Sequence, residues 1–137
     1  MAANTTPIFP AGIINDPIAF TNATGTTAVT CVTAGTNGTR IDAIGATSTD
    51  TVARYFNVLL YNGSTTWVIG EVNIPASAGQ SSGAVLPVSV LNSVVAPWID
   101  STGSIYLAAG YQLQFALVTS AVTSGKQINF FAFGGNY

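Results

Sequence analysis

The side chains able to do chemistry are few and scattered. The acids are Asp16, Asp42, Asp50, Glu71 and Asp100, the bases are Arg40, Arg54 and Lys126, the one thiol is Cys31, and histidine is absent. Two carboxyls flanking a scissile bond would suit glycoside hydrolysis, but these acids stand singly and no spacing pairs them. Each is expected in a turn or on an exposed strand face. Without histidine, Ser–His and Cys–His nucleophile systems lack their base. One cysteine among carboxylates does not make a zinc set. Asp100-Ser101-Thr102-Gly103 has a single acid where a calcium loop repeats them, so it reads as a turn. Phosphate-binding and dinucleotide fingerprints are missing. No catalytic residue, cofactor or metal is therefore expected, and the chain is read as a non-enzyme.

The same scarcity shapes the surface. Charged residues make up 6% of the 137, against roughly 25% in an ordinary soluble domain. Copies of such a chain repel one another weakly, which favours association. Three basic residues and a net charge of −2 supply no clustered cations for nucleic acid. Mean hydropathy is +0.47, yet no apolar run is long enough to span a bilayer as a helix, so neither nucleic acid nor membrane is expected as a partner. The opening MAANTTPIFPAGII has no basic stretch and is broken by Pro7, Pro10 and Gly12, which is unlike a secretory signal. Cys31 has no partner for a disulfide and sits in TTAVTCVT, where a packed core thiol is expected. Asn4, Asn22, Asn37 and Asn62 begin Asn-x-Ser/Thr triplets, a pattern that a Thr-rich chain with Asn turns produces by chance.

The elements that would position these groups are strands. Residues 1–22 carry Pro7, Pro10 and Pro17, which exclude a regular helix and a central strand, so this segment is expected to be an extended N-terminal arm. Residues 23–137 form the second unit, one β-domain. Its candidate strands are Thr26–Thr33, Thr39–Thr47, Val52–Tyr61, Thr66–Ile74, Ala84–Leu91, Ser104–Ala108, Tyr111–Thr119 and Gln127–Phe133. Asn37-Gly38 and Asn62-Gly63 are hairpin-turn signals. The stretch Val94–Trp98 has room for one helical turn. This spacing suits an antiparallel sandwich or barrel of about eight strands.

The faces of the strands differ. Tyr111, Leu113, Phe115 and Leu117 alternate with Gln112, Gln114 and Ala116, the mark of a half-buried strand. Thr66–Ile74 is expected to set Val68, Gly70, Val72 and Ile74 on one face and Trp67, Ile69, Glu71 and Asn73 on the other. Val52–Tyr61 and Gln127–Phe133 are apolar on both faces. A sandwich buries one face of each sheet, so the second face must meet the arm, a loop or another subunit. The interface residues expected on this basis are Ile8, Phe9, Ile13 and Ile14 on the arm, with Tyr55, Trp67, Ile69, Trp98, Phe131, Phe133 and Tyr137 on the body.

Three stretches together carry a family likeness: the proline-bearing opening MAANTTPIFP, the strand–turn–strand unit TAGTNGTRIDAI, and the ending LAAGYQLQFALV…INFFAFGGNY. With these the chain resembles small virion proteins of tailed bacteriophages, in particular jelly-roll capsid decoration (cement) proteins. The resemblance implies an eight-stranded jelly roll on the outer surface of a phage head, made in the host cytoplasm. It implies the major capsid protein and further copies of itself, as a homotrimer, for partners, and no catalytic residues. Two other readings remain open. A carbohydrate-binding or receptor-binding fibre module would show Trp67 or Trp98 exposed in a groove beside Asn, Gln or Asp. A tail or neck component would stack as rings.

Overall fold

The computed structural model describes residues 10–80, 85–91 and 98–137. Strands follow in the order β1 (Gly12–Thr21), β2 (Val29–Thr33), β3 (Thr39–Ser48), β4 (Arg54–Tyr61), β5 (Thr66–Ile74), β6 (Val88–Ser89), β7 (Ile105–Leu107), β8 (Gln112–Leu117) and β9 (Gln127–Asn136). Among the described residues the helical content is one 3-10 turn, Asn22–Thr24. The strand runs read from the sequence correspond to β2 through β9. The helical turn placed at Val94–Trp98 lies, apart from Trp98, outside the described residues, as do Ile8 and Phe9.

Two antiparallel sheets pack face to face. One has the order β1-β9-β3-β6, with β7 also paired to β3; the other has the order β2-β8-β4-β5. The pairings β1–β9, β2–β8, β3–β6/β7 and β4–β5 form a long two-stranded ribbon, and β9–β3 and β8–β4 join its turns. This winding is a jelly roll. Both Asn-Gly signals become turns: Gly38 and Gly63 have φ of 92° and 97°, and Asn62 Oδ1 accepts from the Ser64 and Thr65 amides.

The second half of the expected arm is part of the body. β1 pairs with β9 from Gly12↔Asn136 to Thr21↔Gln127. The prolines exclude a central strand but allow an edge strand, where a missing N–H goes unnoticed. β1 is that edge. The domain therefore starts at least ten residues before residue 23, the boundary read from the sequence.

The sheets meet on an aromatic cluster. Phe20 of β1 and Phe130 of β9 face Phe56 of β4 and Phe115 of β8, all fully buried. Phe130 stacks on Phe115 at 4.3 Å, and Phe56 meets both Phe20 and Phe130 edge-on at 4.9 Å. Each buried ring contributes about 1.5–3 kcal/mol by leaving water. Each such ring pair adds roughly 0.5–1.5 kcal/mol. Where β9 crosses the start of β3, Gly134 lets the chains approach: a Cβ there would sit 2.0 Å from the Arg40 carbonyl oxygen.

Asp50 departs from the expectation that each acid sits in a turn or on an exposed face. It follows β3 in a connection but is fully buried. Its Oδ2 accepts from Arg54 Nε at 2.8 Å and the Thr123 amide at 3.1 Å, and its Oδ1 from the Thr123 hydroxyl at 2.7 Å and the Val52 amide at 3.2 Å. One carboxylate thus ties the β3–β4 connection to the β8–β9 connection. Burial alone would raise its pKa, but the donors from Thr123, Arg54 and Val52 outweigh that and hold it at about 2. A depressed carboxylate stabilises the fold above its ordinary pKa, and that contribution is lost as pH falls toward the folded value. Asp50→Asn leaves Arg54 without its counter-charge and is expected to cost roughly 3–5 kcal/mol in urea unfolding. The wild type should lose stability between about pH 4 and pH 2, a loss that the variant shows much less. Equal stability of the two chains at pH 7 would contradict this role.

Candidate functional site: an aromatic cleft and an uncharged sheet face

Three β-bulges decide which side chains emerge. In β5 the pairing steps from Val58↔Gly70 to Leu59↔Val68, leaving Ile69 as the extra residue. A bulge resets the alternation of a strand. Trp67 therefore shares the inner side with Val72 and Ile74, while Val68 points outward and is 61% exposed. This reverses the sequence assignment of both residues. In β3 the step from Ile41↔Gly134 to Ala43↔Phe133 makes Asp42 the extra residue and turns Ala43 outward; Asp42 pairs with Arg40, two residues before it. In β2 the step from Thr30↔Gln114 to Val32↔Leu113 does the same for Cys31. Cys31 is buried, as expected of a core thiol, and burial, aided by the charge of Asp16, pushes its pKa up to about 12.

The first feature is a cleft on the open side of the sandwich, between β5 at the edge of one sheet and the short β7 at the edge of the other. It encloses about 390 Å³ and is lined by Leu60, Trp67, Ile69, Trp98, Ile105 and Tyr106, among others. Trp67 is 44% and Trp98 55% exposed. Trp98 reaches across from the β6–β7 connection and its Nε1–H donates to the Ile69 carbonyl at 2.8 Å. The two tryptophans and Ile69, expected at an interface, are thus brought together here.

Polar groups cluster beside the cleft. The Tyr106 hydroxyl donates to Asp100 Oδ2 at 2.8 Å. Asp100 Oδ1 accepts from the Thr102 hydroxyl and amide and from the Ser104 amide. The Thr102 hydroxyl, the Ser104 amide and the Tyr106 hydroxyl hold this carboxyl well below the usual range, the opposite of what a general acid at neutral pH needs. The Ser104 hydroxyl donates to Asp42 Oδ1 at 2.8 Å, and Arg40 Nε donates to the same oxygen at 2.6 Å. Asp42 and Asp100 therefore meet through Ser104, a juxtaposition invisible in their sequence spacing. Asp100-Ser101-Thr102-Gly103 is a turn, and no group of three or more metal-ligating side chains occurs among the described residues.

The second feature is the outer face of the sheet β1-β9-β3-β6. Phe131 and Phe133 point outward from β9, and Phe133 is 47% exposed. Their neighbours across the ladder are Asn15 and Pro17 on β1 and Ala43 and Gly45 on β3. Shallow hollows of about 150 and 310 Å³ flank Phe133 on the β1 side and the β3 side. Ile13 extends this face at its β1 corner, 86% exposed. The positions around Phe131 and Phe133 are uncharged, but Asp16 contributes to the β1-side hollow, and Arg40, across Gly135 from Ile13, stands with Asp42 on the same face at the β7 end of β3.

Three expected interface residues lie elsewhere. Ile14 is buried and belongs to the core, because its alternation with the outward Ile13 turns it inward. Tyr55 is exposed on the outer side of the second sheet, next to Asn73. Tyr137, half-buried, lines a separate hollow with Asn37 and Leu107. Arg40 and Asp42 were named from the sequence only as scattered charges, and Tyr106 was not singled out. The alternation of Tyr106 with Ile105 and Leu107 was the one signal that could have flagged it.

No protein-family model matches the chain, and no curated protein does. The geometry generates its own check. Both indoles open to solvent, so tryptophan emission of the native chain should be red-shifted relative to a buried indole and strongly quenched by acrylamide. Blue emission that resists the quencher would contradict the cleft.

Proposed function

We propose that this chain is a structural virion protein, a capsid decoration protein that binds the outside of a phage head and stabilises it. The observation that carries this reading is the uncharged aromatic patch around Phe131 and Phe133 on the outer face of the β1-β9-β3-β6 sheet, beyond which the only charges on that face among the described residues are the mutually paired Arg40 and Asp42. An aromatic, uncharged patch backed by a rigid two-sheet body suits protein contact. Docking buries it without stranding an unpaired charge, which would cost several kcal/mol. Few charges elsewhere let many copies crowd on one shell. The jelly-roll winding and the resemblance of the chain's opening and ending to decoration proteins support the same reading, with the major capsid protein as partner and copies grouped as a trimer. Fold by itself hosts many functions, so the weight rests on the face.

The test is decoration of heads that lack this protein. The wild type should bind them and raise the temperature at which they release DNA. Binding should persist in high salt, because uncharged contacts are not screened. Phe133→Asp should melt like the wild type yet bind heads at least about tenfold more weakly, a loss of roughly 1.4 kcal/mol or more. A Phe133→Asp chain that decorates with unchanged affinity would overturn the assignment of this face.

A further inference from the structure

Two of the Asn-x-Ser/Thr triplets are also Asn-Gly pairs, Asn37-Gly38 and Asn62-Gly63. Such a pair can react with itself: the glycine amide nitrogen attacks the asparagine Cγ. Glycine leaves the approach open because it has no Cβ and turns freely. The fold treats the two pairs differently. At Asn37 the nucleophile is engaged. The Gly38 N–H donates to the Gly35 carbonyl at 3.0 Å, and the Gly38 carbonyl accepts from the Tyr137 amide at 3.1 Å. Gly38 is also buried, and a Cβ on it would sit 3.0 Å from the Leu107 carbonyl oxygen. Turning this amide toward the Asn37 side chain would break both bonds in a packed site, and each buried group left unpaired carries a desolvation cost.

At the tip of the β4–β5 hairpin the same groups are open. Asn62 and Gly63 are both exposed. Apart from its chain neighbours, nothing stands within 4 Å of a Cβ built on Gly63. The Gly63 N–H has no acceptor among the described residues. The Asn62 carboxamide is held by its oxygen: Oδ1 accepts from the Ser64 amide at 3.0 Å, the Ser64 hydroxyl at 3.2 Å and the Thr65 amide at 2.8 Å. These three donors polarise Cγ and stay on the oxygen as it becomes anionic during attack, the arrangement of an oxyanion hole.

We infer that Asn62 is a site of spontaneous deamidation through a succinimide, while the fold protects Asn37 from the same reaction. The Gly63 nitrogen gives its proton to hydroxide or water and forms a bond to Asn62 Cγ. The Cγ–Nδ2 bond then breaks, and Nδ2 leaves as ammonia with a proton taken from water. Water opens the five-membered ring at Cγ to give aspartate, or at the Asn62 backbone carbonyl to give isoaspartate. One water is consumed and one ammonia released, with no oxidation or reduction. Either product adds a carboxylate to a chain whose net charge is −2. The hairpin belongs to the sheet opposite the Phe133 face, so this assignment and the capsid reading stand or fall separately.

The experiment is a time course on the full, unaltered chain, warmed at mildly alkaline pH, once folded and once in denaturing urea. Chymotryptic peptides are read by mass spectrometry, with electron-transfer fragmentation to separate isoaspartate from aspartate. In urea the two asparagines should deamidate at comparable rates, because each precedes a glycine. In the folded chain Asn62 should react at least about tenfold faster than Asn37, a difference in barrier that the engaged Gly38 amide supplies. Isoaspartate should appear at position 62, preceded by the succinimide, and the rate should rise with pH because the Gly63 nitrogen must lose its proton. A folded-state ratio below tenfold would overturn the inference. So would the same ratio in urea, which would trace the difference to local sequence and not to the fold.

Discussion

The ring of Phe130 sets the phase of β9, and much of the molecule follows from that. Phe130 is wedged between Phe115, Phe56 and Phe20, which come from both sheets. Side chains alternate along a strand, so a strand pinned with Phe130 inward must present Phe131 and Phe133 outward. A slip of one residue would bury those two and expel Phe130, breaking the stack that joins the sheets. The exterior aromatics are thus a consequence of the core: the same packing that closes the sandwich gives its first sheet an apolar outer face.

Bulges add what alternation alone does not allow. Ile69 as an extra residue in β5 turns Trp67 toward the gap beside β7, where the first sheet ends on a three-residue strand. Asp42 as the extra residue in β3 turns Ala43 outward beside Phe133, and Arg40, Asp42 and Ser104 hydrogen-bond together. The cleft is therefore built beside an irregular ladder, the β4–β5 pairing at the edge of its sheet. Rigid strands hold such groups more firmly than loops do. The Asp50 clasp does a related job at the connections, tying two of them with buried charge-assisted bonds.

Most of the strand plan was legible in the sequence because short β-branched and aromatic runs alternate with Gly and Asn turns. The inward Leu113, Phe115 and Leu117 and the outward glutamines of β8 follow directly from a period of two. Other features were not legible. Pro17 spoke against a central strand but could not say that Gly12–Thr21 would become an edge strand. The bulge at Ile69 leaves no compositional trace, so Trp67 and Val68 were placed on the wrong sides. The burial of Asp50 depends on Thr123 arriving from a connection far along the chain. The same holds for Asp42 and Asp100, joined only by the fold through Ser104. Local pattern encodes the strands, and long-range pairing encodes the sites.

What unites these observations is a body whose few charges are mostly spent internally or in local pairs, leaving an exterior of hydroxyls, amides and exposed rings. The account rests on the face that the phase of β9 creates. Hydroxyl-radical footprinting of the chain, free and bound to phage heads, reads that face residue by residue. Phe131 and Phe133 should be oxidised readily in the free chain and become protected on the head, while Tyr55 on the opposite sheet keeps its reactivity. Equal oxidation of the two phenylalanines in both states, with protection elsewhere on the surface, would contradict it.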